Sequence, residues 1–443
     1  MIRLSRFVVQ NPQLFVNGIK GYLKQPLTFR MFQIIMQYIN RTKLMKLFPW
    51  VKTGSFSAGF PVEFARAFGI FPYYPEAYAA LTGAAESTVP SIEHAESLGY
   101  SRDLCSYMKT SIGASRLNWP EDFGGSEPTD FYFSANMICD THMKWFEGEA
   151  KVFDKPHFGL DVPSFVAGEG EERLEEYIDY IEQQLWDLIR FLEKVTGKKF
   201  NEKKFLKKID RSTEMCRLFM DVYEYRKRHP ANRYFEWLRL YMLPMVPQWN
   251  EKDAIRLYRK HLKMAQKRYG DKKVIESGRE KYRVLWEGIT IWYKVDLYSK
   301  VLAERGAHIV MEPYTYSIAV RKKSGLPLKD TLRQIARELL TVPFSLNLDE
   351  RIKYFDRLID EYDLDGIILF ANQSCRPSST GLQDLKEALV KKRGIPVLML
   401  NSDHCDPRAY SEGPINTRID GFIEMMEAYK QRRGNKSQPG WQG

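Results

Sequence analysis

Two stretches decide how this chain is read: Asp130-Phe131-Tyr132-Phe133-Ser134-Ala135-Asn136-Met137-Ile138-Cys139 and Gly366-Ile367-Ile368-Leu369-Phe370-Ala371-Asn372-Gln373-Ser374-Cys375. Each begins with a short apolar or aromatic run of the kind that forms a buried strand. Each continues with Ala-Asn-x-x-Cys and then a run that reads as a helix. In parallel α/β sheets, ligands bind beyond the carboxyl ends of the strands, where helix N-termini aim N–H groups and positive dipole ends outward. A thiol placed there ionises readily and is prepared as a nucleophile or a metal ligand. Two such positions from distant sequence point to one shared inorganic centre.

The surrounding sequence alternates in the same way. Pro61 to Phe68 suits a helix with proline in its first turn, Gly69 ends it, and Ile70 to Tyr74 reads as a strand. Cys105 falls within an expected helix from Arg102 to Thr110. From Gly168-Glu169-Gly170 the texture changes: Leu174, Ile178, Ile181, Leu185, Leu188 and Leu192 recur at helical steps up to Gly197. Two more helices are expected, one ending at His229 before Pro230 and one from Asp253 to Tyr269. Alternation then resumes, with strands expected at Arg283 to Trp286, His308 to Met311, Gly366 to Phe370 and Val397 to Leu400 and a helix between the first two running to Glu304. Strand, helix and strand in that order imply right-handed crossovers and parallel, doubly wound sheets.

The expected organisation is α/β. A helical arm spans 1–52, a first α/β domain spans 53–168, a helical domain spans 169–276, a second α/β domain spans 277–433 and a polar tail spans 434–443. A chain of 443 residues exceeds what one core supports, which agrees with several domains.

The charge is uneven. No acidic residue precedes Glu63, while nine basic ones do, so the first 52 residues hold most of the net charge of +11. Such an arm suits an acidic partner, a phosphorylated ligand or peripheral contact with a membrane surface, or it packs as a solvated helix on its own protein. No zinc-finger or RNA-reading signature accompanies the charge, so nucleic acid is not an expected partner. Neither Gly-x-Gly-x-x-Gly at a strand-to-helix turn nor a Walker A sequence occurs, so no nucleotide is expected on this chain. Five scattered cysteines, no membrane-length apolar run and no signal peptide point to the cytoplasm.

Of the cysteines, Cys216 lies on the apolar stripe of its helix with Phe205, Ile209, Phe219 and Tyr223 and reads as core. Cys105, Cys139 and Cys375 are too far apart for a ferredoxin-type run, so a shared site would be assembled from two domains facing each other across a cleft. Three thiolates on a cubane leave one iron without a protein ligand. Zinc held by Cys139, His142, His404 and Cys405 is an alternative, as is a cysteine nucleophile with His142 or His404 as its base. Ser57 and Glu76 stand at element ends near the cleft and His142 one turn beyond Cys139; each is a candidate to move a proton. Ser378, Ser379 and Thr380 open the helix after Cys375, where hydroxyls and N–H groups would hold a thioester oxygen or a phosphate of CoA, although capping explains them equally well.

Several strings are similar to the family of 2-hydroxyacyl-CoA dehydratase and benzoyl-CoA reductase subunits: Gly59-Phe60-Pro61-Val62-Glu63-Phe64-Ala65-Arg66-Ala67-Phe68-Gly69, Tyr100-Ser101-Arg102-Asp103-Leu104-Cys105-Ser106-Tyr107, both Ala-Asn-x-x-Cys regions, Asp403-His404-Cys405-Asp406-Pro407-Arg408, and Asn416-Thr417-Arg418-Ile419-Asp420-Gly421-Phe422. The resemblance runs from about Gly54 to the C-terminal helix and is weakest in the helical middle. It implies two Rossmann-like domains flanking a helical one, with a [4Fe-4S] cluster held by Cys105, Cys139 and Cys375 and a CoA thioester as substrate. It also implies an anaerobic setting and three partners: a second, related cluster-bearing subunit, a separate ATP-hydrolysing iron–sulfur activase and, upstream, a ferredoxin-type donor. Cys405 is not among the implied ligands.

Both reactions of such proteins need one electron delivered to the thioester carbonyl, giving a ketyl-type radical anion that acidifies a neighbouring C–H or makes an aromatic ring basic enough to protonate. Within the family, the C-terminal segment and the chain length look most like the larger cluster-bearing subunit of benzoyl-CoA reductases, so ring reduction of an aryl-CoA is the expected activity. The alternative is dehydration of a 2-hydroxyacyl-CoA, and a third reading is an electron-transfer or maturation subunit whose cluster never meets substrate.

Overall fold

The computed structural model describes residues 51–117, 128–164, 169–231, 252–270, 280–317, 324–341 and 346–436, together with Gln37, Tyr38, Asn40, Arg41, Phe48, Trp50, Ala319, Arg321 and Lys323. The basic arm expected at 1–52 therefore lies almost wholly outside the described residues, as does Gly168 of the expected hinge.

The first unit runs β1 (Thr53–Phe56), α1 (Glu63–Phe68), β2 (Phe71–Tyr73), α2 (Pro75–Ala84), α3 (Val89–Ser97), α4 (Ser106–Leu117), β3 (Phe131–Ala135), α5 (Asp140–Val152) and β4 (His157–Leu160). Its four strands are all parallel, in the order β2-β1-β3-β4. β3 is buried at all five positions, as a strand covered by helices on both faces must be. Phe56 of β1 stacks on Phe133 of β3 with ring centroids 4.6 Å apart.

The helical layer follows: α6 (Glu171–Thr196), α7 (Glu202–Glu224) and α8 (Lys252–Gly270). α6 buries the periodic leucines and isoleucines and stops at Gly197, whose left-handed backbone (φ +68) suits glycine. The Asn201 side chain caps α7 by accepting the N–H of Lys204 at 2.8 Å. Cys216 is buried on α7 and burial pushes its thiol up to about 12, the behaviour of a core cysteine.

The second α/β unit comprises β5 (Tyr282–Glu287), β6 (Ala307–Met311), α9 (Pro313–Ser317), α10 (Leu328–Leu340), α11 (Leu348–Glu361), β7 (Gly366–Asn372), α12 (Arg376–Ser379), α13 (Leu382–Arg393), β8 (Val397–Ser402) and α14 (Glu412–Lys436). In place of the helix expected up to Glu304, β5 and β6 are joined by a 3₁₀ turn at Trp292–Lys294 and a π-helical stretch at Leu297–Leu302. α14 runs to Lys436, past the point where the polar tail was expected. The strand order is β6-β5-β7-β8, again all parallel.

The two sheets thus share one order, with the strand that leads into Ala-Asn-x-x-Cys third in each. In that order the chain reverses direction across the sheet between β1 and β3, and between β5 and β7, and such switch points open a crevice at the carboxyl ends.

Contacts between the two units join their carboxyl ends. Thr88 donates to the Cys405 carbonyl at 2.7 Å, Cys405 Sγ donates to the Ala79 carbonyl at 3.0 Å, and the Trp292 indole donates to the Tyr107 hydroxyl. Arg408 pairs with Glu96 at 2.8 Å, and fully buried Arg321 bridges Glu63 of α1 (3.0 Å) and Glu338 of α10 (2.9 Å).

Candidate metal centre

The three cysteines occupy equivalent positions on three helices. Cys139 is the residue before α5, Cys375 the residue before α12, and Cys105 the residue before α4. The last differs from the sequence expectation, which placed Cys105 inside a helix. Ser101 to Cys105 forms turn and coil instead, and the helix starts at Ser106. At all three positions the N–H three residues on (Met108, His142 and Ser378) favours the thiolate, without making a cap hydrogen bond at Cys139 or Cys375.

Neighbouring residues clip the three N-termini together. Ser106, next to Cys105, donates its N–H to the hydroxyl of Ser374, next to Cys375, at 3.2 Å. Arg376, on the other side of Cys375, pairs with Asp140, next to Cys139, at 2.8 Å. Charge on each thiol is accordingly felt by the others: after burial, Cys375 is the next largest influence raising Cys105, and Cys139 raises both. Among the described residues, no group of three His, Cys, Asp or Glu side chains is arranged to hold a single metal ion. A cubane makes no such demand, because each thiolate binds a different iron. Three soft sulfur donors, largely buried at the facing ends of two sheets, suit that group.

The charge states differ. Burial raises Cys105 well above the usual thiol range and brings Cys375 to about 12. Cys139 is lowered: burial opposes this, but the positive charge of His142 outweighs it. Burial alone would deprotonate His142, yet the charges of Cys139 and then Glu76 raise it well above its ordinary value. Its Nε2 meets Glu76 Oε1 at 2.9 Å, and Glu76 Oε2 accepts the Ala58 N–H at 2.6 Å. The Glu76 carboxyl is held below its usual range, burial being outweighed by His142. His142 thus meets Glu76 through Nε2 and, by its charge, favours ionisation of Cys139, an arrangement that would also serve a nucleophilic cysteine.

Ser57, at the end of β1, accepts the Ala135 N–H at 3.0 Å and so ties β1 to β3 across the switch point. Ser378, Ser379 and Thr380 do not open a long helix: α12 is a single turn that ends at Thr380. Ser379 and Thr380 donate to the carbonyls of Asn372 (2.7 Å) and Arg376 (2.9 Å), while Ser378 Oγ is buried with no hydrogen-bond partner among the described residues.

His404 and Cys405 are fully buried in packing roles. Cys405 Sγ fills the space over Gly83, where an added Cβ would lie 2.7 Å from it. The His404 ring meets Asn372 Nδ2 at 2.7 Å and Ser106 Oγ at 3.1 Å, and burial keeps its pKa low. Because Asn372 Oδ1 already accepts the Ser374 N–H at 3.3 Å, its amide N–H₂ donates to His404 Nδ1.

The asparagine of the repeated signature therefore has one task in both copies. Asn372 holds the loop after β8, and Asn136 holds the loop after β4 through Asp161 and Val162, each at 2.6 Å. Sequence reasoning missed Tyr314 on α9, whose phenol is raised by burial and then by Glu76 and all three cysteines. Nothing local marks it, since the strand before it ends far from any cysteine in sequence.

Residues 57–426 match the family profile described as 2-hydroxyglutaryl-CoA dehydratase, D-component. The chain belongs to this family. Among similar proteins, (R)-2-hydroxyisocaproyl-CoA dehydratase alpha subunit of Clostridioides difficile is 30% identical over 84% of this chain and 89% of its own length. (R)-phenyllactyl-CoA dehydratase alpha subunit of Clostridium sporogenes is 29% identical over 86% of this chain and 91% of its own. A benzoyl-CoA reductase subunit of Thauera aromatica is 25% identical over 85% and 88% respectively. Family membership agrees with the resemblance carried by the sequence strings, and the matched span takes in all three helix-start cysteines. Among the described residues no helix is long and apolar enough to cross a membrane.

Proposed function

We propose that this chain is the cluster-bearing subunit of an enzyme acting on acyl-CoA thioesters, with Cys105, Cys139 and Cys375 holding one [4Fe-4S] cluster, and that its reaction is the dehydration of a 2-hydroxyacyl-CoA. The observation that carries the site is the pair of clips, Ser106 to Ser374 and Arg376 to Asp140, which brings three cysteine-headed helices from two sheets to one place. The observation that favours dehydration is that two dehydratase alpha subunits, at 29 and 30% identity, are more similar than the benzoyl-CoA reductase subunit, at 25%, while two other dehydratase alpha subunits match at 24 and 25%. This shifts the weight away from the ring reduction expected from sequence. Aryl-CoA reduction stands as the second reading, because the reductase relative is matched over most of its length.

When bound, the cluster supplies one-electron chemistry at low potential. The chain's own residues do the rest. Cys139, its thiol lowered by the charge of His142 against burial, ionises most readily of the three, and Cys105 and Cys375 lose their protons on ligation. Glu76 and His142 share a proton between Oε1 and Nε2 at the edge of the centre, from which one can be given to or taken from substrate. Tyr314, whose phenol burial and then Glu76 and the three cysteines raise well above its ordinary value, stays neutral beside them.

The partners this reading requires are a second, related subunit, an ATP-hydrolysing activase and its ferredoxin-type donor. The test is turnover by the anaerobically purified complex with activase, ATP and a strong reductant. Elimination of water from a 2-hydroxyacyl-CoA, with no reduction of benzoyl-CoA, is expected. Formation of a cyclic dienoyl-CoA from benzoyl-CoA would replace this reading with the second.

A further inference from the structure

Ser374 belongs to the loop after β7, yet it caps a helix of the other α/β unit. Ser106 is the first residue of α4, and its N–H, one of those a helix leaves unpaired at its start, is received by Ser374 Oγ at 3.2 Å. The Ser374 hydroxyl proton goes to Asp403 Oδ2. With its single proton committed there, Oγ presents only lone pairs to Ser106, so the roles in the chain are fixed. Asp403 is fixed in turn, its Oδ1 accepting the N–H groups of Cys405 at 2.7 Å and Asp406 at 2.8 Å. Ser106 (0% exposed), Asp403 (3%) and Ser374 (7%) are all buried, so no water substitutes readily for a lost partner. The other clip, Arg376 to Asp140, joins side chains 73 and 71% exposed and holds weakly.

We infer that Ser374, oriented by Asp403, is a positioning residue that sets the separation of Cys105 and Cys375, the two thiols it stands between. This rests on the proposed cluster for its consequence, but the geometry is a property of the protein before any metal enters. Removing the hydroxyl leaves α4 held to the second unit by Ser106 Oγ on His404 and Tyr107 on Trp292 but releases its first N–H, so the start of the helix shifts, the two thiols spread and whatever spans them is weakened.

The test uses the full-length protein as wild type, Ser374→Ala, Ser374→Thr and Asp403→Asn. In metal-free protein, dibromobimane reports the rate at which Cys105 and Cys375 are bridged, with the bridge located by peptide mass. In anaerobically purified protein, iron loss to a chelator is followed together with the electron paramagnetic resonance signature of the reduced cluster. In Ser374→Ala, bridging slows, the resonance signature shifts and iron is lost about tenfold faster, the scale of losing a residue that supports a metal ligand. Asp403→Asn moves in the same direction, and Ser374→Thr restores wild-type behaviour. Should Ser374→Ala fail to fold, Asp403→Asn carries the comparison. Ser374→Ala unchanged in both bridging and iron loss, or a loss that threonine does not restore, overturns the inference. Wild-type protein that never holds iron overturns the cluster reading instead, and the bridging rates still decide the role of Ser374.

Discussion

Two thiols pushed up and one pulled down make the cysteines distinguishable. In metal-free protein, Cys139 is expected to be alkylated by iodoacetamide first and at lower pH than Cys375, whose thiol ionises only near 12. His142→Gln is expected to remove that advantage, because the imidazolium charge outweighs burial at Cys139. Site-resolved mass spectrometry across pH 6 to about 9 reads both outcomes; equal rates at Cys139 and Cys375 in the wild type would contradict the charge assignment.

A second titration lies away from the centre. Glu149 lines a small internal cavity with Ser55, Ser111 and Tyr132, and burial raises its carboxyl to about 7 although Arg116 is 3.1 Å away. An acid raised on folding adds stability that is complete below its unfolded pKa and lost as pH rises through its folded one. Stability should therefore fall by up to roughly 3 kcal/mol between pH 4.5 and 7, and urea midpoints for wild type and Glu149→Gln should diverge over that window. A flat wild-type profile would contradict it.

At this scale much was legible. Glu76 and His142 meet at the end of the first sheet, with Ala58, next to Ser57, donating its N–H to Glu76, because these residues follow a strand or lie in the first turn of a helix, which sequence pattern reveals. Ser374 and Asp403 were not legible, since their contact with Ser106 depends on how two separate units dock.

Among the elements, α4 is the most constrained. Gly113 faces the Ser91 carbonyl of α3, and an added Cβ would lie 1.8 Å from that oxygen. Alanine normally stabilises a helix interior relative to glycine, by about 1 kcal/mol. Here the sign reverses: Gly113→Ala is expected to cost about 1–3 kcal/mol as α4 is forced off α3, visible as a lower melting temperature with loosened iron, because Cys105 directly precedes α4. A stabilised Gly113→Ala would contradict this packing.

Six of the eight described strands were placed within a residue or two because their apolar runs end at polar or glycine positions, as at Gly366 and Gly306, whereas the short strands β1 and β4 were not expected. Helix starts were less certain. Arg102 to Cys105 has helical composition, but the N-terminus is set by the buried Ser374 cap. The Trp292–Leu302 segment is apolar enough for an ordinary helix, and tertiary packing of Trp292 against Tyr107 and His404, whose carbonyl accepts the Trp292 N–H at 3.0 Å, draws it into tighter and wider turns.

For the whole molecule, the two units act as one body because buried groups join them. Arg321 is buried between Glu63 and Glu338, so Arg321→Ala removes the cation these two buried carboxylates share and should cost about 3–5 kcal/mol in denaturant unfolding. A loss under about 1 kcal/mol, typical of an exposed pair, would show that the join is weaker than its burial implies. Parallel α/β architecture was readable from alternation, and the repeated Ala-Asn-x-x-Cys foretold equivalent places in two sheets. That the sheets share one strand order, and face each other with their carboxyl ends, follows from long-range docking that no local pattern records.

The central claim is that three cysteines from two sheets hold one cluster. Iron and acid-labile sulfide, with Mössbauer spectra, in anaerobically purified full-length protein test it most directly. A four-iron cluster is expected in the wild type, in Cys216→Ala and in Cys405→Ala, and its loss in each of Cys105→Ala, Cys139→Ala and Cys375→Ala. An intact cluster after removal of any one of those three, or its disappearance only with Cys405, would contradict it.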